Sequence, residues 1–170
     1  MDDANDGPYA REPQVEDLAR ICRALNDAGA RYVLIGGFAV IARGGARTTK
    51  DIDFLIDASP ENVARVKQAL RILEDKAVDD VADDDVARYA VVRVADEVVV
   101  DLMAIACGVD YAAAAADVEL LSIGGVDIPI ASLQTLIKTK EHGAALRCGR
   151  SPLSRGALEG STRSNVKSAI

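Results

Sequence analysis

The stretch of sequence that decides the fold runs from residue 33 to residue 57 and reads VLIGGFAVIARGGARTTKDIDFLID. It opens as an apolar strand that leads directly into Gly36 and Gly37. A short apolar helix is predicted over residues 38–42, before a second glycine pair interrupts it. Residues 50–56 then read as another strand. The stretch therefore predicts a strand, a glycine turn, a short helix and a second strand in close succession.

The second strand carries two aspartates that alternate with apolar residues. Side chains alternate between the two faces of a strand, so Ile52, Phe54 and Ile56 are expected to face the core while Asp51 and Asp53 share the opposite face, about 7 Å apart. Two aligned carboxylates repel each other, and a divalent cation between them would remove the repulsion. An ordinary solvated strand face is the alternative interpretation of the same residues.

The Asp-x-Asp spacing alone does not identify a site, because Asp83 and Asp85 repeat it. That second pair belongs to residues 74–85, which hold seven acidic residues and one lysine. Such a composition predicts a solvated loop. The apolar flanks of Asp51 and Asp53 therefore distinguish the first pair from the second.

A third aspartate, Asp101, lies within the apolar run of residues 98–105. An unpaired charge in such a strand would be costly to bury, so a partner is expected. One alternative is an arginine on the neighbouring strand, either Arg88 or Arg93. The other is that Asp101 joins Asp51 and Asp53 in one metal site, reached by pairing the two strands.

The rest of the chain predicts an α+β fold with a central mixed β-sheet and helices packed against it. Strands and helices alternate at first, and strands then cluster. Further helices are predicted from residue 13, from residue 60 and over residues 132–147, with hairpins over residues 87–105 and 119–130.

Composition limits the classes of function. The 170 residues have a formal net charge of −7, which disfavours a general nucleic-acid coat or a membrane-surface binder. No apolar run reaches the roughly 18 residues of a membrane span, so we expect a cytoplasmic protein. Three segments are predicted: a polar tail over residues 1–12, a domain over residues 13–146, and a basic tail over residues 147–170 that is disordered or aberrant.

These motifs together resemble the nucleotidyltransferase superfamily with the DNA polymerase β-type fold. The resemblance spans roughly residues 32–140 and combines the strand, Gly-Gly, the short helix, Asp-x-Asp and a later strand aspartate. The sequence segment GGFAV…RTTKDIDFLID is most similar to small bacterial members related to abortive-infection and toxin–antitoxin nucleotidyltransferases, and more distantly to antibiotic-modifying ones.

The resemblance implies the transfer of a nucleoside monophosphate from a nucleoside triphosphate to an acceptor hydroxyl, with release of pyrophosphate. It implies two Mg²⁺ ions, with Mn²⁺ as a possible substitute, and assigns the residues as follows. The metal-binding and catalytic residues would be Asp51, Asp53 and Asp101; the nucleotide-binding residues would be Gly36, Gly37, Arg47, Thr49 and Lys140.

The acceptor is not readable from the sequence. A cationic small molecule would suit the acidic body of the chain, tRNA would have to rely on the basic tail or a basic partner, and a protein hydroxyl is equally open. The alternative function is a catalytically weak domain that binds a partner protein as one subunit of a toxin–antitoxin pair. The carboxy-terminal residues after 146 depart from the family pattern, which leaves the acceptor pocket undefined.

Overall fold

The computed structural model describes residues 10–145, with side chains described as far as residue 139. The predicted basic tail and most of the predicted polar tail lie outside these residues. Between them, helices and strands follow one another through short connections. The helices are α1 Val15–Asp27, α2 Gly36–Ala42, α3 Pro60–Leu70, α4 Asp85–Arg88, α5 Tyr111–Ala115 and α6 Leu133–Ala145, with a 3-10 helix over Ala77–Asp80. The strands are β1 Tyr32–Ile35, β2 Asp51–Ile56, β3 Val92–Ala95, β4 Val99–Met103, β5 Ile105–Ala106, β6 Val109–Asp110, β7 Glu119–Ile123 and β8 Val126–Ile130.

Six strands form one mixed sheet in the order β3–β4–β2–β1–β8–β7. The pairs β2–β4 and β1–β8 are parallel, and the other neighbours are antiparallel. Strands β5 and β6 form a separate two-stranded ribbon. A mixed sheet with helices packed against it is the α+β architecture that the sequence predicts, and this prediction is confirmed.

The core forms where α1 and α3 pack together and α1 covers β8. The apolar stripe of α1 is fully buried and consists of Leu18, Ile21, Cys22 and Leu25. Within the described residues, no helix combines the length and the hydrophobicity that a bilayer span would need.

A buried asparagine ties the first two strands of the sheet together. The side chain of Asn62 accepts a hydrogen bond from Arg31 N (2.7 Å) and donates to Arg31 O (2.9 Å) and Asp57 O (2.7 Å). Arg31 precedes β1 and Asp57 follows β2, so the amide holds the end of this antiparallel pair that lies away from Asp53. Because its polar atoms are paired, the side chain can be buried without a large desolvation penalty.

The acidic run of residues 74–85 is not the solvated loop that its composition predicts. Val78 and Val81 are buried in the core, and the run contains the 3-10 helix. The buried carboxylate of Asp96 accepts hydrogen bonds from Asp75 N (3.0 Å) and Ala77 N (2.9 Å). The prediction was wrong because two valines three residues apart suffice to anchor a segment whose other side chains are charged.

The hairpin predicted over residues 119–130 is confirmed by the antiparallel pairing of β7 with β8. The hairpin predicted over residues 87–105 is present but shorter, because Asp85–Arg88 is helical and the first strand begins only at Val92. The short elements β5, β6 and α5 were not predicted. Elements of two to five residues are too short to show a period in the sequence.

The junction between β1 and α2 requires a glycine for two reasons. Gly36 has a φ of +69°, in the left-handed region that side chains disfavour. Its neighbour in β1, Ile35, pairs with Asp53 of β2. A Cβ atom on Gly36 would therefore stand 2.1 Å from Asp53 Oδ2 and 2.9 Å from Asp53 Cβ.

Replacing Gly36 with alanine should destabilise the protein by about 2–4 kcal/mol, because left-handed strain and steric overlap add together. Gly44 supplies a matched control: its φ is +84°, but nothing lies within 4 Å of its virtual Cβ. Gly44→Ala should therefore carry the backbone strain alone, about 1 kcal/mol. Chemical denaturation of both variants measures the difference, and equal losses would contradict the close approach to Asp53.

Candidate active site

A row of paired residues crosses four neighbouring strands at one level of the sheet. Asp53 of β2 pairs with Ile35 on one side and with Asp101 of β4 on the other. Arg93 of β3 pairs in turn with Asp101. Directly paired residues project to the same face, and Asp51 shares that face because it lies two residues before Asp53. The register therefore gathers three carboxylates and one guanidinium on a single face.

The three carboxylates lie close enough together to hold one ion. Asp51, Asp53 and Asp101 each offer an oxygen, and these oxygens all lie within 4.8 Å of one another. Oxygens on opposite sides of a Mg²⁺ ion lie roughly 4.2 Å apart, so small side-chain movements would complete the spacing. The donors are hard anionic oxygens, which fit Mg²⁺ or Mn²⁺ rather than a soft metal.

Burial differs among the three residues. Asp101 is only 4% exposed, whereas the side chain of Asp51 is 30% exposed. A ligand would therefore reach the cluster from the Asp51 side.

Arg93 contacts two of the three carboxylates. Its Nε donates to Asp101 Oδ1 (3.0 Å), and its Nη2 donates to Asp101 Oδ2 (2.9 Å) and to Asp51 Oδ2 (3.3 Å). Arg88, the other arginine considered as a partner for Asp101, pairs instead with Asp84 on the surface. The two alternatives for Asp101 thus coincide: its carboxylate is paired with an arginine and is also part of the acidic cluster.

The pKa of the Asp53 carboxyl is shifted upward by its surroundings. Burial, followed by the negative charges of Asp51 and Asp101, raises the pKa of Asp53 to about 8. The positive charges of Arg93 and Arg47 oppose this shift only in part. A carboxyl group that is protonated near neutral pH is a common feature of functional sites, where like charges are held close together.

The second Asp-x-Asp pair has a different environment. The exposed Asp83 forms an ion pair with Lys67 at 3.0 Å, and Asp85 is buried with its Oδ2 accepting a hydrogen bond from Ala82 N. Asp85 therefore acts as a local cap of its own segment. Asp83 and Asp85 do not meet the Asp51–Asp53–Asp101 cluster.

The other predicted nucleotide-binding residues lie around the first turn of α2. Gly37 is in contact with Thr49, because a Cβ on this glycine would stand 2.6 Å from Thr49 Oγ1. The Thr49 hydroxyl donates to the carbonyl oxygen of Asp51 (2.9 Å). This hydrogen bond holds the residues that lead into β2, and it already occupies the hydroxyl proton of Thr49.

The two basic residues predicted to bind nucleotide have no described hydrogen bond to the acidic cluster. Arg47 is exposed on the loop before β2, near enough for its charge to lower the pKa of Asp53. Lys140 lies in α6, which packs against α2. Its side chain lies outside the described residues, so its assignment stays a prediction.

Sequence reasoning missed two contacts. The bridge from Arg93 to Asp51 has no local signal, because it depends on the parallel pairing of β2 with β4. The close approach of Gly36 to Asp53 was missed as well, since the glycine pair was interpreted as a turn and, from the resemblance, as a nucleotide-binding element. From the sequence, Arg93 was only one of two possible arginine partners of Asp101; the register that pairs the two residues, with Ala95 opposite Val99, is a finding of the structure.

The comparisons with known proteins bear separately on the fold and on the family. No curated protein matches the chain significantly. Among solved structures, a Thermotoga maritima protein described as a nucleotidyltransferase superposes with a TM-score of 0.56. The match has 14% sequence identity and covers 78% of this chain and 86% of that one, so it shows a shared fold.

The family model described as "Nucleotidyl transferase AbiEii toxin, Type IV TA system" matches residues 18–155. These residues include the whole acidic cluster and every strand of the sheet. The match confirms the expected relation to abortive-infection and toxin–antitoxin nucleotidyltransferases. The chain belongs to the AbiEii family of nucleotidyl transferase toxins.

Proposed function

We propose that this protein is a metal-dependent nucleotidyltransferase that moves a nucleoside monophosphate from a nucleoside triphosphate to an acceptor hydroxyl. The observation that carries the proposal is the meeting of Asp51, Asp53 and Asp101 on one sheet face, with ligand oxygens within 4.8 Å of one another. Family membership supports the class of reaction, and the geometry supports the residues that perform it.

Asp51 and Asp53 would hold two Mg²⁺ ions, and Asp101 would complete the site of the catalytic ion. A bound metal pair stabilises the negative charge on both the attacking and the leaving oxygen of an in-line displacement. The high pKa of Asp53 fits this role, because neighbouring carboxylates that repel one another are favourable ligands for a cation.

The chain's own residues would orient the reactants. The acceptor oxygen forms a bond to the α-phosphorus, the bond from that phosphorus to pyrophosphate breaks, and Asp101 would accept the acceptor's proton. Gly36 and Gly37 would let backbone N–H groups approach the triphosphate with no side chain in the way. Arg47 and Lys140 would bind phosphate oxygens, and the Thr49 hydroxyl would do so by exchanging its bond to the Asp51 carbonyl oxygen for one to phosphate. The exposure of Arg47 leaves its guanidinium available for this contact.

The acceptor could be a cationic small molecule, a protein hydroxyl or tRNA. The net charge of −7 favours a cationic acceptor over a nucleic acid unless a basic partner assists.

A second candidate function follows from the family's description as a toxin of a toxin–antitoxin system: the chain would bind an antitoxin protein and act with little catalysis. Only the enzymatic function requires all three carboxylates. The test is expression in a bacterial host. If the Asp53→Ala and Asp101→Ala variants still arrest growth, the binding function is favoured.

Nucleotide transfer is tested by incubating the protein with each nucleoside triphosphate, labelled on the α-phosphate, together with Mg²⁺ or Mn²⁺ and a cell lysate. Label should appear on one class of acceptor. Asp53→Ala and Asp101→Ala should each reduce the transfer rate by about 100-fold or more, because each removes a ligand that stabilises the transition state.

Asp83→Ala is the matched control, since it removes an aspartate of the second Asp-x-Asp pair, and the transfer rate should stay within about twofold of the unmodified protein. The catalytic assignment fails if no label moves under any metal, or if the two cluster variants transfer label as fast as Asp83→Ala.

The pKa of Asp53 predicts that metal binding depends on pH. The folded protein keeps this proton up to about pH 8, whereas an unfolded chain releases it near the ordinary value of 3.8. Between these values the folded state binds more protons, so the contribution of Asp53 to stability falls as pH rises. A cation must displace the proton, and its apparent affinity should rise about tenfold per pH unit below pH 8.

The measurement is the rise in melting temperature on adding Mg²⁺, at about pH 6 and about pH 8. The rise should be several degrees larger at the higher pH. Asp53→Asn cannot ionise and should lose both the pH dependence and most of the metal effect. Equal shifts at the two pH values in the unmodified protein would contradict the coupling.

A further inference from the structure

The contacts of Arg93 place a fixed positive charge inside the cluster that is proposed to bind metal. Both oxygens of Asp101 and one oxygen of Asp51 accept hydrogen bonds from its guanidinium, at 2.9 to 3.3 Å. Its side chain is 26% exposed, so solvent screens these contacts only in part. Arg93 lies on β3 at the edge of the sheet, and β4 separates it from Asp53.

We propose that Arg93 is the internal counterion of the acidic cluster, a positioning residue that stabilises the carboxylates without metal and opposes the binding of a divalent cation. This inference rests on the proposed function, because it concerns the same metal site. It assigns to Arg93 a role in setting metal affinity rather than a contact with the reacting atoms.

The stabilising half of the role follows from geometry. Asp53 and Asp101 are paired directly across two strands, and like charges in that position destabilise a sheet. The planar guanidinium presents two donors to the two oxygens of Asp101, which is the arrangement in which arginine binds a carboxylate most strongly. Because the same Nη2 also reaches Asp51, one residue fixes two of the three ligands relative to each other.

The opposing half follows from charge. A cation bound by Asp51, Asp53 and Asp101 would share carboxylates with a guanidinium that stays positively charged at every relevant pH. A carboxylate oxygen has more than one lone pair, so it can serve both partners, but the two positive charges then repel at short range. Metal affinity is therefore lower than the three carboxylates alone would give.

Arg47 cannot substitute for Arg93 in this role. It is exposed on a loop and affects Asp53 through its charge, whereas Arg93 is held by hydrogen bonds on the sheet face itself. Loss of Arg93 should therefore remove both the positioning of Asp101 and the positive charge beside it.

The test uses the full chain without nucleotide. The unmodified protein, Arg93→Gln and Arg93→Lys are titrated with Mn²⁺ by isothermal calorimetry, and their melting temperatures are measured without metal. Arg93→Gln should melt several degrees lower without metal and bind Mn²⁺ on the order of tenfold more tightly. Arg93→Lys keeps the positive charge but loses the planar pair of donors that binds both oxygens of Asp101. Its Mn²⁺ affinity should therefore stay within about threefold of the unmodified protein.

Arg20→Gln is the matched control. Arg20 also approaches two carboxylates, those of Glu97 (2.6 Å) and Asp17 (3.7 Å), but it lies on α1. Its loss should leave Mn²⁺ affinity unchanged. A variant Arg93→Gln that folds only in the presence of Mn²⁺ would also support the inference, since the cation would then replace the missing charge.

Unchanged or weaker Mn²⁺ binding by Arg93→Gln would overturn the inference, as would equal affinities of the Gln and Lys variants. Failure of Arg93→Gln to fold even with Mn²⁺ would overturn it too. These results would leave the proposed function standing. If the unmodified protein bound no Mn²⁺, the proposed metal site would fail, and this inference with it; binding without nucleotide transfer would contradict only the transferase activity.

Discussion

Repulsion between aspartates is the constraint on which this structure depends. Asp53 and Asp101 face each other on adjacent strands, and Asp101 is almost wholly buried. A sheet tolerates such an arrangement only if other groups compensate for the charge. In the described structure two features do so: the guanidinium of Arg93 pairs with the cluster, and the pKa of Asp53 rises so that one carboxyl is neutral near neutral pH. Stability is given up at this point in the fold, which is typical of sites shaped for binding or catalysis.

The local charges matter more than the overall charge. A net charge of −7 repels phosphate at long range, yet the cluster is flanked by Arg93 and, on the loop before β2, by Arg47. Membership of the AbiEii family places these residues in a chain related to nucleotidyl transferase toxins. The two charges differ in their surroundings: Arg47 is exposed to solvent, whereas Arg93 is hydrogen-bonded to the carboxylates and neutralises part of their charge.

The features predictable from the sequence are those that local patterns encode. The alternation of Asp51 and Asp53 with apolar residues predicted a strand with an acidic face, and the apolar neighbours of Asp101 predicted a buried carboxylate with a partner. The pairing of the Asp51–Asp53 strand with the Asp101 strand could be raised only as one of two alternatives, because no local signal states that β2 lies beside β4. The composition of residues 74–85 gave a wrong prediction for a related reason. Charged residues dominate the average composition of the segment, whereas its burial depends on two apolar side chains, Val78 and Val81.

The parallel pairing of β2 with β4 has a consequence for how the protein folds. Two parallel strands cannot be joined by a tight turn, and here α3, the acidic segment and β3 intervene between them. Closing so long a loop is entropically unfavourable until the intervening elements are in place. The pairing of Asp53 with Asp101 is therefore a contact of long sequence separation, the kind of contact that slows folding. A chain that stopped before β4 would contain Gly36, Asp51 and Asp53 but not Asp101, so the cluster could not assemble.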